Sequence, residues 1–272
     1  MSEPQIQSTD ELRAHWDRFA PLFEERMEPT TVLLARELIA QLRLEEASAL
    51  LEVGAGAGAA AQIVHELLPA TARHVVTDLS PEMVRRARAK LPERVLVQEA
   101  DACALEFADA SFDRLLCNLN LMLVPDPGAA LGEAARVLAP GGLAAWSVWG
   151  RPEGSLMFTI PGLAAEEVGL RLPEGARSNF HLGDREELRA QIAGHGFERV
   201  LTWYSPMIRP FRSGAEYAEL ILSTPRWESY LAQEPEGARA ALAKSLEGLA
   251  EGALRAGRPI GLEALVVVAE RA

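Results

Sequence analysis

No apolar run in the chain approaches the roughly 20 residues that a membrane-spanning helix requires. Met1 to Asp10 is polar and lacks the basic segment followed by an apolar stretch that marks a secretory leader. Cysteine is nearly missing: Cys103 and Cys117 are too few for a disulfide framework or a zinc-finger pattern, and both are expected to be small buried hydrophobes. The five histidines show no metal-ligand spacing such as H-x-x-x-H, so no metal is expected. Positive charge is in deficit, with 27 Lys+Arg against 39 Asp+Glu and a formal net charge of −12. That balance opposes a duplex nucleic acid, whose phosphates need clustered Lys and Arg, and equally an anionic membrane surface. No internal repeat or low-complexity tract stands out. The absences leave a cytoplasmic, acidic, globular protein with no nucleic-acid or membrane partner. Its oligomeric state is not legible.

What is present can build an ordinary core: 49% of the 272 residues are hydrophobic and 24% charged. The segment from Glu11 to Leu44 reads as helical, with apolar residues at spacings of three and four, and Pro21 and Pro29 are expected to break it. From residue 49 the rhythm changes to short apolar runs alternating with helical stretches. Strands are expected at 49–53, 73–78, 95–100, 112–119 and 143–148. Helices are expected at 59–68, after the Ser80-Pro81 start signal, and at 129–138 up to Pro140-Gly141-Gly142. Strand–helix alternation implies a parallel sheet with helices on both faces. Beyond Trp149 the pattern loosens to a short helix at 163–170, a helix at 185–194, a strand at 198–208, two helices within 215–256 split near Pro225 or Pro235, and a last strand at 262–270.

The strongest local signal is Glu52-Val53-Gly54-Ala55-Gly56-Ala57-Gly58, where an apolar strand becomes a helix. Glycine there permits a tight turn and close approach of a ligand to the free N–H groups of the helix N-terminus. A tight turn alone would also need a glycine. The loop does not identify its ligand either. Gly54, Gly56 and Ala59 satisfy the dinucleotide pattern, and Asp78 lies about 20 residues on, where a ribose-binding acid belongs. An NAD(P)-dependent oxidoreductase therefore stands as one alternative, and a non-catalytic cofactor-binding protein on the same fold as another. Glu52 weighs against the first, because a carboxylate there repels a pyrophosphate and suits an amine-bearing ligand.

Further motifs follow in order: Asp101 in Glu99-Ala100-Asp101-Ala102, the strand Phe112-Asp113-Arg114-Leu115-Leu116-Cys117-Asn118, and Arg136-Val137-Leu138-Ala139-Pro140-Gly141-Gly142. Together with the glycine loop and Asp78, they resemble the class I S-adenosylmethionine-dependent methyltransferases, in particular the small-molecule branch that includes the ubiquinone and menaquinone C-methyltransferases. The resemblance runs in register over about residues 48–149. It implies an α/β, Rossmann-like, seven-stranded, mostly parallel sheet with helices on both faces, plus N-terminal helices and helical insertions forming a cap. In these terms residues 1–47 form the N-terminal helical cap, 48–149 the core that binds S-adenosyl-L-methionine, and 150–272 the rest of the sheet with insertions shaping an acceptor pocket, all in one structural domain.

The resemblance also implies roles. Gly54, Ala55 and Gly56 pack on the methionine part of the cofactor, and Glu52 supports its amino group. Asp78 accepts from the ribose hydroxyls, and Leu79 and Met83 flank the adenine, though both could equally be core. Asp101 accepts from the adenine amino group, and the Ala102 N–H donates to the ring. The Asn118 backbone carbonyl faces the methionine amine. Trp16, with Phe19, closes over the site. Many relatives carry one or two histidines just before the Pro-Asp equivalent to Pro125-Asp126. Here Met122 and Leu123 stand in those places, so no general base is evident. His15 and His181 are the remaining candidates for contact with a small-molecule methyl acceptor. Aromatic and thioether residues such as Trp146, Met157, Tyr217 and Trp227 would line an acceptor pocket or pack the core beneath the added helices.

Overall fold

The computed structural model describes residues 8–172 and 177–272. Ser8 opens α1 (Thr9–Leu22) by a reciprocal cap. Its hydroxyl accepts from the Glu11 N–H at 3.3 Å, and the Glu11 carboxylate accepts from the Ser8 N–H at 2.8 Å. The two prolines do not break the region as expected. Pro21 falls in the last turn of α1, and the chain passes through a π turn at Phe23–Met27 into α2 (Glu28–Ile39). Pro29 has no N–H, and its ring would strike the carbonyl four residues back. A wider turn just ahead of it keeps the chain helical.

Residues 8–149, Arg177–Ser205 and Ala264–Ala272 form one compact unit; residues 150–172 and Pro206–Glu263 form another. α1 and α2 fall in the first unit with the sheet, and the unbroken stretch of that unit ends at Trp149.

In the first unit, β1 (Ala49–Val53), α3 (Ala59–Leu67), β2 (Arg73–Asp78), α4 (Pro81–Lys90), β3 (Leu96–Glu99), β4 (Phe112–Asn118), α5 (Pro127–Val137) and β5 (Leu138–Trp149) alternate as the apolar runs require. Ser80 caps α4, accepting from the Met83 N–H at 3.1 Å. α5 stops at Val137, and the chain becomes strand at once. Pro140-Gly141-Gly142 lies inside β5, Gly141 at φ 77°, where the pairing with β4 shifts register between Phe112 and Arg114. After α7 (Arg185–Gly194) come β6 (Phe197–Ile208) and, at the chain's end, β7 (Gly261–Arg271). The seven strands run β3-β2-β1-β4-β5-β7-β6, parallel across the first five, with β7 antiparallel to β5. Val76, Val84, Ala87 and Val97 are among the apolar side chains that seal α4 on β2 and β3, and Trp146 is buried, edge-on to Phe197. Order reverses at β1, between β2 and β4, which is where open α/β sheets form a crevice at the strands' carboxyl ends.

His74 in β2 is buried, and neither ring nitrogen has a hydrogen-bond partner among the described residues. Burial pushes it down to about 4, with the neighbouring His65 and Arg94 adding to the effect. Below pH 6.5 the unfolded chain therefore takes up a proton that the folded chain refuses, so stability falls as pH drops from about 6.5 toward 4, by up to about 1.4 kcal/mol per pH unit. Replacing His74 by Val is expected to flatten that limb in urea melts at pH 7, 6 and 5. An unchanged slope would remove His74 as its source.

The second unit holds α6 (Leu156–Glu167), α8 (Gly214–Leu222), α9 (Pro225–Leu231) and α10 (Ala238–Arg255), with a shared core that includes Leu156, Ile160, Tyr217, Trp227 and Leu246. Tyr217 and Trp227 are thus core. The sequence anticipates α6 only in part, because Pro161 sits inside it. The Met157 carbonyl that Pro161 cannot serve accepts from the Tyr217 hydroxyl at 3.1 Å. Between Gly214 and Arg255 the chain forms three helices where two are expected, breaking at both Pro225 and Pro235.

Candidate cofactor site

β1 delivers Glu52 to the crevice and then turns through Gly54, Gly56 and Gly58 at φ 66°, 59° and 92°. The left-handed region favours glycine, and here space demands it as well. A Cβ on Gly54 would overlap the Asn120 side chain, and one on Gly56 would lie 2.8 Å from a Phe23 ring carbon. Asp78 ends β2, and its carboxylate accepts from the Gly56 and Ser80 N–H groups, each at 2.9 Å. Burial nevertheless pushes its carboxyl up to about 6, against the pull of those bonds. Glu52 is only 2% exposed, and its Oε2 has no partner among the described residues. Burial first, then the charges of Glu28 and Asp78, push it up to about 8.

Asp101 is fixed by its own turn, accepting from the Cys103 N–H at 2.8 Å. Asn118 has its side chain committed: the amide donates to the Thr31 carbonyl at 3.2 Å and accepts from the Ser147 hydroxyl at 2.8 Å. Leu119 follows at φ 52°, a left-handed residue that costs about 1–2 kcal/mol and turns the chain beside the cavity. Arg177 holds the far end of this segment, donating to the Val124 and Pro125 carbonyls at 2.9 Å each.

These residues converge on one cavity of about 100 Å³. Its lining brings together Trp16, Glu52, Gly54, Ala55, Gly56, Asp78, Leu79, Met83, Asp101, Ala102 and Asn118. His15 and His181 are not in it. His15 is exposed and stacks on Phe19, with ring centroids 5.8 Å apart. His181 keeps Nδ1 2.9 Å from the Ser178 carbonyl. Phe23, not Phe19, lines the cavity with Trp16, the two rings edge-to-face at 6.0 Å. Sequence reasoning also missed Glu28, Thr31, Val32 and Asn120, which carry no local signal and reach the cavity only through the fold. Four carboxylates line it (Glu28, Glu52, Asp78 and Asp101), and no lysine, arginine or histidine does among the described residues. Cys117 is buried and its thiol pushed up to about 12. Among the described residues no group of three or more His, Cys, Asp or Glu side chains could hold a metal ion, and no helix is long and apolar enough to cross a membrane.

S-adenosylmethionine fits this donor set. A buried carboxylate oxygen without a partner among the described residues suits an amine-bearing ligand, a carboxylate at the end of β2 suits a ribose, and the glycine loop leaves room that a Cβ would fill. Sheet order and site together define a Rossmann-like protein of the class I methyltransferase type. The model of a family described as "Methyltransferase domain" matches residues 51–146. A malonyl-[acyl-carrier protein] O-methyltransferase of Geobacter sulfurreducens is 32% identical over 190 residues, which is 69% of this chain and 67% of that protein. The chain belongs to the S-adenosylmethionine-dependent methyltransferase family.

Solved structures similar in fold include an S-adenosylmethionine-dependent methyltransferase of Thermotoga maritima, possibly a histamine N-methyltransferase. It has a TM-score of 0.58 at 20% identity, covering 96% of this chain and 100% of that one. The [4+2]-cyclase SpnF has a TM-score of 0.64 at 20% identity, covering 99% of each chain. At such identities the likeness is one of fold. The chain spans about half the length (47%) of the first curated relatives it matches.

Proposed function

We propose that this chain transfers a methyl group from S-adenosylmethionine to a small organic acceptor. The observation that carries the reading is the convergence of Glu52, Asp78, Asp101 and the glycine loop on a cavity that no cationic side chain lines among the described residues. In this reading Glu52 receives the ammonium of the cofactor, Asp78 the ribose hydroxyls, and Asp101 the adenine amino group. Leu79 and Met83 flank the adenine, and the Ala102 N–H donates to it. The Asn118 carbonyl faces the amine, its side chain being spent elsewhere, and Trp16 covers the site. A dinucleotide would set its pyrophosphate against the same carboxylates, so a nicotinamide cofactor is disfavoured.

The bound cofactor supplies a methyl carbon already activated by a sulfonium. Among the described residues no histidine lines the cavity, and none is needed if this chain contributes mainly alignment and exclusion of water. An acceptor arriving as a carboxylate or phosphate finds no counter-charge in the lining among the described residues. An uncharged acceptor, of the kind handled by the C-methyltransferase branch that the sequence resembles, fits better. Calorimetry with S-adenosylmethionine, S-adenosylhomocysteine and NAD tests the assignment, and failure of both sulfur compounds to bind would overturn it. Asp78→Ala is expected to weaken cofactor binding by about 1–3 kcal/mol through lost charge-assisted hydrogen bonds. Unchanged affinity would take Asp78 out of the site.

A further inference from the structure

The helix that follows the glycine loop begins without a cap of its own. The N-cap of α3 is Gly58 at φ 92°, which offers no side chain. A capping residue cannot be put there, because its Cβ would lie 2.9 Å from the Ala87 Cα of α4. The half-buried N–H at Ala59 is met from another element: Oε1 of Glu28, in the first turn of α2, accepts it at 3.1 Å. Glu28 is 7% exposed and lines the cavity beside Glu52. Its second oxygen accepts from Lys90 Nζ at 2.8 Å, and Lys90 pairs with Glu24 at 2.9 Å. Arg86 joins Glu24 to Glu82, the latter contact at 2.7 Å. About two turns earlier, on α1, Asp17 accepts from the Ser80 hydroxyl at 2.5 Å and the Glu82 N–H at 3.1 Å. The N-terminal helices are therefore tied to α4 at two places, and at Glu28 to the glycine loop itself.

We propose that Glu28 is a positioning residue of the cofactor site: by capping α3 from α2 it holds the glycine loop and the N-terminal helices in the one arrangement that binds the cofactor. The inference rests on reading the cavity as the S-adenosylmethionine site. Glu28 acts on that site in a second way. The charged and titratable groups facing Glu52 are Glu28 from α2, Asp78 from β2 and Cys117 from β4, and the charge of Glu28 is the largest influence on Glu52 after burial. Removing that charge makes Glu52 ionise at lower pH.

Two variants separate cap from charge. Glu28→Gln keeps an oxygen for the Ala59 N–H, whereas Glu28→Ala removes both cap and charge. With S-adenosylhomocysteine as the calorimetric probe, Glu28→Ala is expected to lose about tenfold in affinity at pH 8, the worth of one buried cap. Glu28→Gln is expected to lose about threefold at most there, while the midpoint of its affinity–pH curve moves down. A purely structural Glu28 would lower the melting temperature of both variants and leave affinity and midpoint where they are, which would overturn the proposal. If Glu28→Ala does not fold, an unmoved midpoint in Glu28→Gln overturns it alone. Absence of binding in the unsubstituted protein would overturn the cofactor assignment, and the positioning role with it.

Discussion

Glu52→Gln is expected to stabilise the ligand-free protein while crippling cofactor binding. The two effects have opposite sign because the carboxylate is placed for a ligand and not for the fold. Its folded pKa of about 8, against an ordinary value of 4.5, means that ionisation in the empty cavity is unfavourable. The penalty is nil below pH 4.5, grows as pH rises and is complete above about 8. At pH 7.5 it amounts to roughly 3–4 kcal/mol. An amide of the same shape escapes the charge penalty but still needs partners, so a gain of about 1–3 kcal/mol in urea melts is expected at pH 7.5, shrinking to none near pH 4.5.

Binding moves the other way. Losing a charge-assisted bond to a buried ammonium costs about 2–4 kcal/mol, or roughly 30- to 1,000-fold in Kd. The same linkage predicts that near neutral pH the cofactor binds with release of a proton from Glu52, so affinity rises between pH 6 and 8. Calorimetry in buffers of different ionisation enthalpy reads that proton directly. A Glu52→Gln protein that is less stable at pH 7.5 and still releases the proton would show that Glu52 does not face the ligand.

Glu52, Asp78 and Asp101 were legible because each terminates an apolar run where a parallel sheet presents its carboxyl ends, and that geometry is written locally. The three alternating glycines were legible for the same reason: left-handed backbone and close approach leave no other residue. What escaped the sequence depends on partners far along the chain. Glu28 looks like any helix-start glutamate, and its meaning lies in the missing cap of a helix 31 residues on. Pro161 reads as a helix breaker until the Tyr217 hydroxyl, 60 residues away in sequence, takes the carbonyl it leaves unserved. Phe23 was passed over in favour of Phe19, because a π turn that lets the chain stay helical past Pro29 has no signature beyond the proline itself. Local chemistry thus revealed part of the cavity lining, and tertiary contacts brought in the rest.

Gly54→Ala is expected to reduce cofactor affinity by more than about 100-fold, beyond what either of its causes would do alone. The first cause is the backbone: φ is 66°, and a Cβ in that region costs about 1–2 kcal/mol. The second is the Asn120 side chain, whose Nδ2, Cγ and Cβ occupy the space the new methyl needs. Asn120 cannot retreat by bending its backbone, because Leu119 before it already sits at φ 52° and the Leu119 N–H is held by both the carbonyl and the hydroxyl of Ser147, at 3.0 and 2.9 Å. A side chain displaced into the cavity that Asn120 lines would take the space that the proposed reading gives to the methionine part of the cofactor.

The two causes separate in a double variant. Asn120→Gly removes the overlap and leaves the backbone strain, so Gly54→Ala with Asn120→Gly should recover to within about tenfold of the unsubstituted protein. Gly162 is the control, since a Cβ there meets nothing within 4 Å in the middle of α6, and Gly162→Ala should raise the melting point slightly and leave binding unchanged. Binding by Gly54→Ala within about threefold of the original, or a double variant no better than the single one, would mean that the loop relaxes freely and that its glycines do not govern the approach of the ligand.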